Sequence, residues 1–226
     1  MTVGILEQVE LVVVGLGELS ERVVFVGGCI PAFYVDQEKF EEPRPTEDID
    51  CIIELVSLSH HQELEAALRA KGFRNVPSMI ARWEYQGIVV DIMPTDQAIL
   101  GFSNRWYDSA IEAAKEVSLP GGQKCRILDL PHFFATKFEA AAGRGGDLRM
   151  SKDLEDIMYV LNGCEDVVPE LLAGTEVVRA FLSEQFSKLK SLRNFDELLA
   201  AHLSRENQQR TAIIVKRIES VISGNI

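Results

Sequence analysis

Asp48-Ile49-Asp50-Cys51-Ile52-Ile53-Glu54-Leu55 is the stretch on which the reading of this chain turns. Its apolar, β-branched core reads as a strand, and residues two apart on a strand point to the same side. Asp48 and Asp50 then share one face, while Ile49 enters the opposite layer. Aspartate is depleted in strands, and two neighbouring carboxylates repel each other. A cation between them relieves that repulsion, and paired oxygen ligands of this kind suit Mg²⁺ or Mn²⁺. A second acid stands in the run Ile88 to Met93, where Asp91 is surrounded by apolar residues. Such an acid must be ion-paired, hydrogen-bonded or metal-bound. If the two strands are neighbours, Asp48, Asp50 and Asp91 converge, which is the geometry for two-metal phosphoryl or nucleotidyl transfer. Glu84, on the preceding strand, is the other candidate for the third acid.

Upstream of this stretch, Arg22 to Val26 reads as a short strand running into Gly27-Gly28. A turn without Cβ atoms lets phosphate oxygens approach main-chain N–H groups. Gly4 to Leu19 has helical spacing, Cys29 to Val35 opens a short helix, and Asp36 to Glu47, with Pro43 and Pro45, is loop. Downstream, His60 to Lys71 is a helix stopped by Gly72. Met79 to Tyr85 and Ile88 to Met93 form a hairpin around Gln86-Gly87, closed by Pro94. Beyond about Gly121 only Lys124 to Leu128 reads as a strand. Helices are expected over Pro131 to Gly143, Ser151 to Leu161, Val177 to Leu189, Phe195 to Leu203 and Glu206 to Ile222. The fold class is therefore α+β, an α/β catalytic part over 1–122 followed by an all-helical part over 123–226. In the helical part, Lys137 and Arg144 are seven apart and share a face if the helix continues through Gly143, so both could meet triphosphate oxygens.

The chain has 226 residues, 46% of them hydrophobic and 26% charged, values that fit a folded globular protein. Its net charge of −12 disfavours general binding to a nucleic-acid backbone, because such binding draws on neutralised phosphates. A nucleotide substrate remains compatible, since bound metal ions invert the local field. Cys29, Cys51, Cys125 and Cys164 are scattered without a C-x-x-C pair, which argues for buried free thiols and against zinc. The longest apolar run near the start, Leu11 to Val14, is far short of a membrane span. Glu7 and Glu10 stand where a signal peptide would carry basic residues, so a cytoplasmic location is expected.

A strand ending in Gly27-Gly28, then Arg44-Pro45-Thr46-Glu47-Asp48-Ile49-Asp50, then the strand acid Asp91, resembles the nucleotidyltransferase superfamily that includes DNA polymerase β. The pattern Lys137…Arg144…Lys152-Asp153…Asp156 is similar to that of its AbiEii group, the nucleotidyltransferase-like toxins of bacterial toxin–antitoxin and phage-defence systems. The resemblance covers about residues 20–162, with an inserted loop in the 20 residues between Gly28 and Asp48. It implies a mixed β-sheet with flanking helices. It also implies Mg²⁺ or Mn²⁺ as cofactor and an NTP, ATP among them, as the nucleotide donor. The acceptor would be a tRNA, a protein or a small molecule, and the protein would be a toxin with a cognate antitoxin. By the same resemblance, Asp48, Asp50 and Asp91 are the catalytic and metal-binding acids. Gly27, Gly28, Arg44, Thr46, Lys137 and Arg144 bind the nucleotide, and Asp153 and Asp156 are supporting or acid–base residues. Two other readings use the same residues: a small-molecule nucleotidyltransferase of the antibiotic-modifying type, and a non-catalytic nucleotide-binding or interaction module of the same fold. Three intact, mutually repelling acids speak against the second.

Overall fold

Val23, Val24, Phe25 and Val26 form strand β1 (Val23–Val26), and every one of them is buried, which is the signature of a strand covered on both faces. In this computed structural model, which describes residues 4–55, 57–77, 79–101 and 103–225, β1 lies inside a seven-stranded mixed sheet. The other strands are β2 (Ile49–Ile53), β3 (Arg74–Asn75), β4 (Arg82–Tyr85), β5 (Ile88–Pro94), β6 (Lys115–Ser118) and β7 (Lys124–Ile127). Their order is β3-β4-β5-β2-β1-β7-β6. β2 runs parallel to β5 and antiparallel to β1, while β4 and β5 form the expected hairpin. Gln86 and Gly87, with φ of 49° and 81°, supply the two left-handed positions that a two-residue hairpin turn needs.

The chain divides into two compact units. The first contains the chain up to Phe33 together with Arg44–Asp129, and so holds the whole sheet. Helix α1 (Ile5–Leu16) packs Val9, Val12, Val13 and Leu16 into its core. A Cβ on Gly15 would meet the Tyr85 ring at 2.6 Å, so this glycine weakens the helix locally in exchange for close packing on the end of β4. The unit is completed by α2 (Pro31–Tyr34), which ends at the border between the units, and by α3 (Leu58–Ala70), α4 (Gln97–Leu100) and α5 (Tyr107–Glu112). On α3, Ser57 caps the first turn by accepting from the His60 N–H.

The second unit contains Tyr34–Pro43 and the chain from Leu130 onward. Its helices are α6 (Leu130–Arg144), α7 (Lys152–Gly163), α8 (Val167–Leu172), α9 (Glu176–Lys190), α10 (Phe195–Ala201) and α11 (Thr211–Ser223). Phe134 and Phe138 of α6 close on Phe186 of α9, the Phe138 ring edge-on at 5.0 Å. The segment Tyr34–Pro43 is held onto this unit by contacts that include the Tyr159 hydroxyl donating to the Glu41 carbonyl at 2.7 Å, Arg210 stacked over Phe40, and a Lys39–Glu165 ion pair at 3.5 Å. Within the long gap between Gly28 and Asp48, Tyr34–Pro43 is thus the part that packs with the helices before the chain returns to β2.

The α+β layout expected from the sequence is the observed one, with the helical C-terminal part present. The details differ where packing outweighs local pattern. β2 begins at Ile49, leaving Asp48 just ahead of it, and β4 begins at Arg82, leaving Met79 and Ile80 exposed outside the strand. Pro94 ends β5 from inside, opposite Ile53. The sheet-bearing unit extends to Asp129, past the expected boundary at 122/123, because β7 pairs with β1 and β6. β3, β6, α4, α5 and α8 have no counterpart in the sequence reading. β6 is a largely exposed edge strand (Lys-Glu-Val-Ser) with no apolar face to betray it, and the helices are four to six residues long.

Candidate active site

The register of the sheet assembles the site. Asp50 on β2 stands directly beside Asp91 on β5, and Arg82 on β4 stands directly beside Asp91 from the other side. Alternation puts Ile49, Cys51, Val90, Ile92 and Trp83 in the buried layer on the opposite face. Asp48, one residue ahead of β2, joins the row, and carboxylate oxygens of Asp48, Asp50 and Asp91 all lie within 4.8 Å of one another. Asp50 and Asp91 converge because β2 and β5 are neighbours, the condition that the sequence reading set. Glu84, the alternative third acid, is exposed and stands opposite Val89, outside this group.

Gly27 follows β1 with φ of 72°, and a Cβ there would fall 2.0 Å from Asp50 Oδ2. The glycine is needed for both its backbone conformation and its missing side chain. A Cβ on Gly28 would fall 2.8 Å from Thr46 Oγ1 and 3.4 Å from the Arg44 guanidinium. Thr46 Oγ1 in turn donates to the Asp48 carbonyl at 3.0 Å, fixing the turn that leads into β2. Gly27, Gly28, Arg44, Thr46, Asp48, Asp50 and Asp91 therefore meet in one place within the first unit.

Arg82 is the member that sequence reasoning missed. Its Nε donates to Asp91 Oδ1 at 2.8 Å, and Nη2 donates to Asp91 Oδ2 at 2.7 Å and to Asp48 Oδ2 at 2.6 Å. The hydrogen bond to Asp91 holds the guanidinium well above its ordinary pKa against the opposing effect of burial, with the charges of Asp91, Asp48 and Asp50 adding to it. The signal was present in the sequence. Counting outward from the Gln86-Gly87 turn puts residue 82 opposite residue 91, as the pairing does.

Lys137, Arg144, Asp153 and Asp156 meet in the second unit. Helix α6 continues through Gly143 to Arg144, as the seven-residue spacing required. Lys137 Nζ lies 2.6 Å from Asp156 Oδ2 and 3.3 Å from Asp153 Oδ1, and Arg144 also bonds Asp153. Asp153 and Asp156 are on the first turns of α7, where negative charge is favoured by the helix dipole. The side chains of Lys137, Asp153 and Asp156 are at most 9% exposed, so their charges are spent largely on one another. The four cysteines are buried free thiols, as expected, and burial pushes the Cys51 thiol well above its ordinary pKa.

Three convergent carboxylates beside a Gly-Gly turn are the arrangement that the sequence pattern led us to expect of a nucleotidyltransferase. The chain belongs to the family described as nucleotidyl transferase AbiEii toxin, Type IV toxin–antitoxin system, whose profile matches residues 13–213. That match runs beyond the resemblance legible by eye and takes in most of the helical unit. Its activity is therefore nucleotidyl transfer. Among solved structures, an antigenic nucleotidyltransferase-like protein from Paracoccidioides brasiliensis is similar, with 16% identity and a TM-score of 0.49, covering 87% of this chain and 92% of that one. No curated protein matches the chain. Among the described residues, no helix is long and apolar enough to cross a membrane.

Proposed function

We propose that this nucleotidyltransferase binds an NTP together with Mg²⁺ or Mn²⁺ on Asp48, Asp50 and Asp91 and transfers the nucleotide to an acceptor on tRNA or protein. The observation that carries the reading is the convergence of three carboxylates, two at the start of β2 and one from β5, with oxygens within 4.8 Å of one another. An all-carboxylate donor set fits hard divalent cations, and a bound ion would polarise phosphoryl oxygens and offset charge on the departing pyrophosphate. In the reaction, an acceptor hydroxyl oxygen forms a bond to the α-phosphorus and gives up its proton to solvent, as the bond from that phosphorus to the bridging oxygen of the β-phosphate breaks and pyrophosphate leaves. The protein's part is positioning and charge. Gly27 and Gly28 bring main-chain N–H groups to the phosphates, Arg44 adds a guanidinium, and Thr46 braces the turn that presents Asp48. For the helical unit the family pattern implies phosphate contact at Lys137 and Arg144; of the two, Arg144 has the exposed side chain, while Lys137 is buried against Asp153 and Asp156. A cognate antitoxin restrains the activity, as the toxin–antitoxin family implies.

The test is transfer of label from each α-³²P-NTP, with Mg²⁺ or Mn²⁺, to tRNA, to protein and to an aminoglycoside in parallel. Labelled tRNA or protein is the expected product, absent with Asp50→Asn. Label on the aminoglycoside alone would move the enzyme to the antibiotic-modifying type. Failure of wild type to bind any metal–NTP by calorimetry would sink the catalytic reading.

A further inference from the structure

The acidic site already contains a cation. Arg82 Nη2 touches Oδ2 of both Asp48 and Asp91, while Nε completes a two-point grip on Asp91. Main-chain pairing delivers this guanidinium, since Arg82 is the residue opposite Asp91 in the hairpin. The side chains of Arg82 and Asp48 are about a quarter exposed and that of Asp91 about an eighth, so water screens the contact only in part. A Mg²⁺ ion takes carboxylate oxygens at about 2.1 Å, so an ion on either Oδ2 would lie under about 5 Å from Nη2. Like charges at that separation in a half-buried site oppose each other. A bare metal ion therefore competes with a cation in place, whereas a metal–triphosphate complex brings anionic oxygens that a planar guanidinium fork can accept as new partners.

We propose that Arg82 is the resting occupant of the site. It holds Asp48 and Asp91 together without metal and releases them when a metal-bound nucleotide supplies phosphate oxygens in their place. Arg82 is thus a positioning residue that couples metal binding to nucleotide binding. The inference rests on the reading of the three acids as the metal site. It predicts that metal and nucleotide each tighten the binding of the other, and that Arg82 is the source of that coupling.

The experiment measures Mn²⁺ affinity from the paramagnetic resonance signal of the free ion, with and without a non-hydrolysable NTP analogue, after subtracting the Mn²⁺ that the analogue binds in a protein-free control. Wild type should bind Mn²⁺ weakly alone and at least about tenfold more tightly with the analogue. Arg82→Met should bind Mn²⁺ alone at least about tenfold more tightly than wild type, and the gain from the analogue should shrink to about threefold or less. Arg82→Lys, which keeps a charge but not the fork, should fall between them. If Arg82→Met does not fold, the wild-type Arg82 Nε–H nuclear magnetic resonance signal provides the readout. It should move when metal and analogue are added together and stay in place with the same metal alone. Equal nucleotide-free Mn²⁺ affinity in wild type and Arg82→Met, or a resonance that ignores metal plus analogue, overturns the inference and leaves the metal site standing. Absence of Mn²⁺ binding by wild type even with the analogue overturns the metal-site reading and this inference with it.

Discussion

Two clusters of acids and cations lie in this chain, one on the sheet and one among the helices, and they differ in how much water reaches them. On the sheet, Asp48, Asp91 and Arg82 keep 26%, 12% and 27% of their side-chain surface exposed, and three carboxylates gather around one guanidinium. Among the helices, Asp153 and Asp156 keep 2%, Lys137 keeps 9%, and Arg144 reaches in from a position 69% exposed. The first is rich in negative charge and open, so its resident cation can be exchanged for another partner. The second is sealed and close to charge balance, so its ions serve mainly to hold α6 against α7. An open, under-compensated cluster suits exchange of partners, while a closed and compensated one suits permanence.

The largest effect should come from breaking the sealed cluster. Lys137→Met removes the buried cation that pairs with Asp153 and Asp156, and urea unfolding should show a loss of about 3–5 kcal/mol. Lys188→Ala, on an exposed helix position paired with Glu184, should cost no more than about 0.5 kcal/mol. Similar small values at both sites would abolish the distinction between the clusters. If Lys137 also contacts phosphate, Lys137→Ala should weaken nucleotide binding by a further 1.5–3 kcal/mol or so per lost contact, which Lys188→Ala should leave untouched.

Ligand response sharpens the contrast from the other side. At an NTP concentration about a hundredfold above Kd, with Mg²⁺, wild type should gain about 2.7 kcal/mol of stability, seen as a rise in Tm. Asp50→Asn should lose most of that gain, while metal alone should move the wild-type Tm little because Arg82 already occupies the acids. A full gain retained by Asp50→Asn would detach the open cluster from nucleotide binding. In metal-free buffer the open cluster should contribute little to folding. Asp48→Asn relieves repulsion with Asp50 but removes one Arg82 contact, and the two effects nearly offset, within about 1 kcal/mol by urea unfolding. A loss of several kcal/mol would mean that this cluster is structural as well.

The smallest effect concerns the segment between Gly28 and Asp48. Burial pushes the Tyr159 hydroxyl up to about 12 from an ordinary value of 10.0, helped by Glu42 and Glu41, while it donates to the Glu41 carbonyl. A group whose pKa is raised on folding stabilises the fold below its unfolded pKa and loses that contribution as pH rises through the folded one. Stability should therefore decline between pH 10 and 12, and Tyr159→Phe should flatten that part of the urea midpoint profile. An unchanged profile would show that the hydroxyl does not help to hold Tyr34–Pro43 on the helical unit.

Much of this was legible before the fold was known, for local reasons. The two-residue period of a strand aligned Asp48 with Asp50, the lone acid in Ile88 to Met93 marked Asp91, and Gln86-Gly87 announced the hairpin. Helical spacing carried Lys137 and Arg144 to one face of α6. Elements too short or too exposed to bury an apolar stripe, such as β6 and α8, left no periodic trace. The destination of Tyr34–Pro43 was hidden for a related reason, since a proline-bearing polar stretch reads as loop whichever body it packs against.

What the sequence determined by itself is which charges must find partners, because burial within an apolar strand or helix face forbids leaving a carboxylate alone. Which partner each one finds was decided by tertiary structure. Asp91 takes Arg82 through cross-strand register, and Lys137 takes Asp156 through the packing of two helices. Nothing local distinguishes a lysine destined for phosphate from one destined for aspartate: the choice depends on which side chains three-dimensional packing brings within about 3 Å and shields from water.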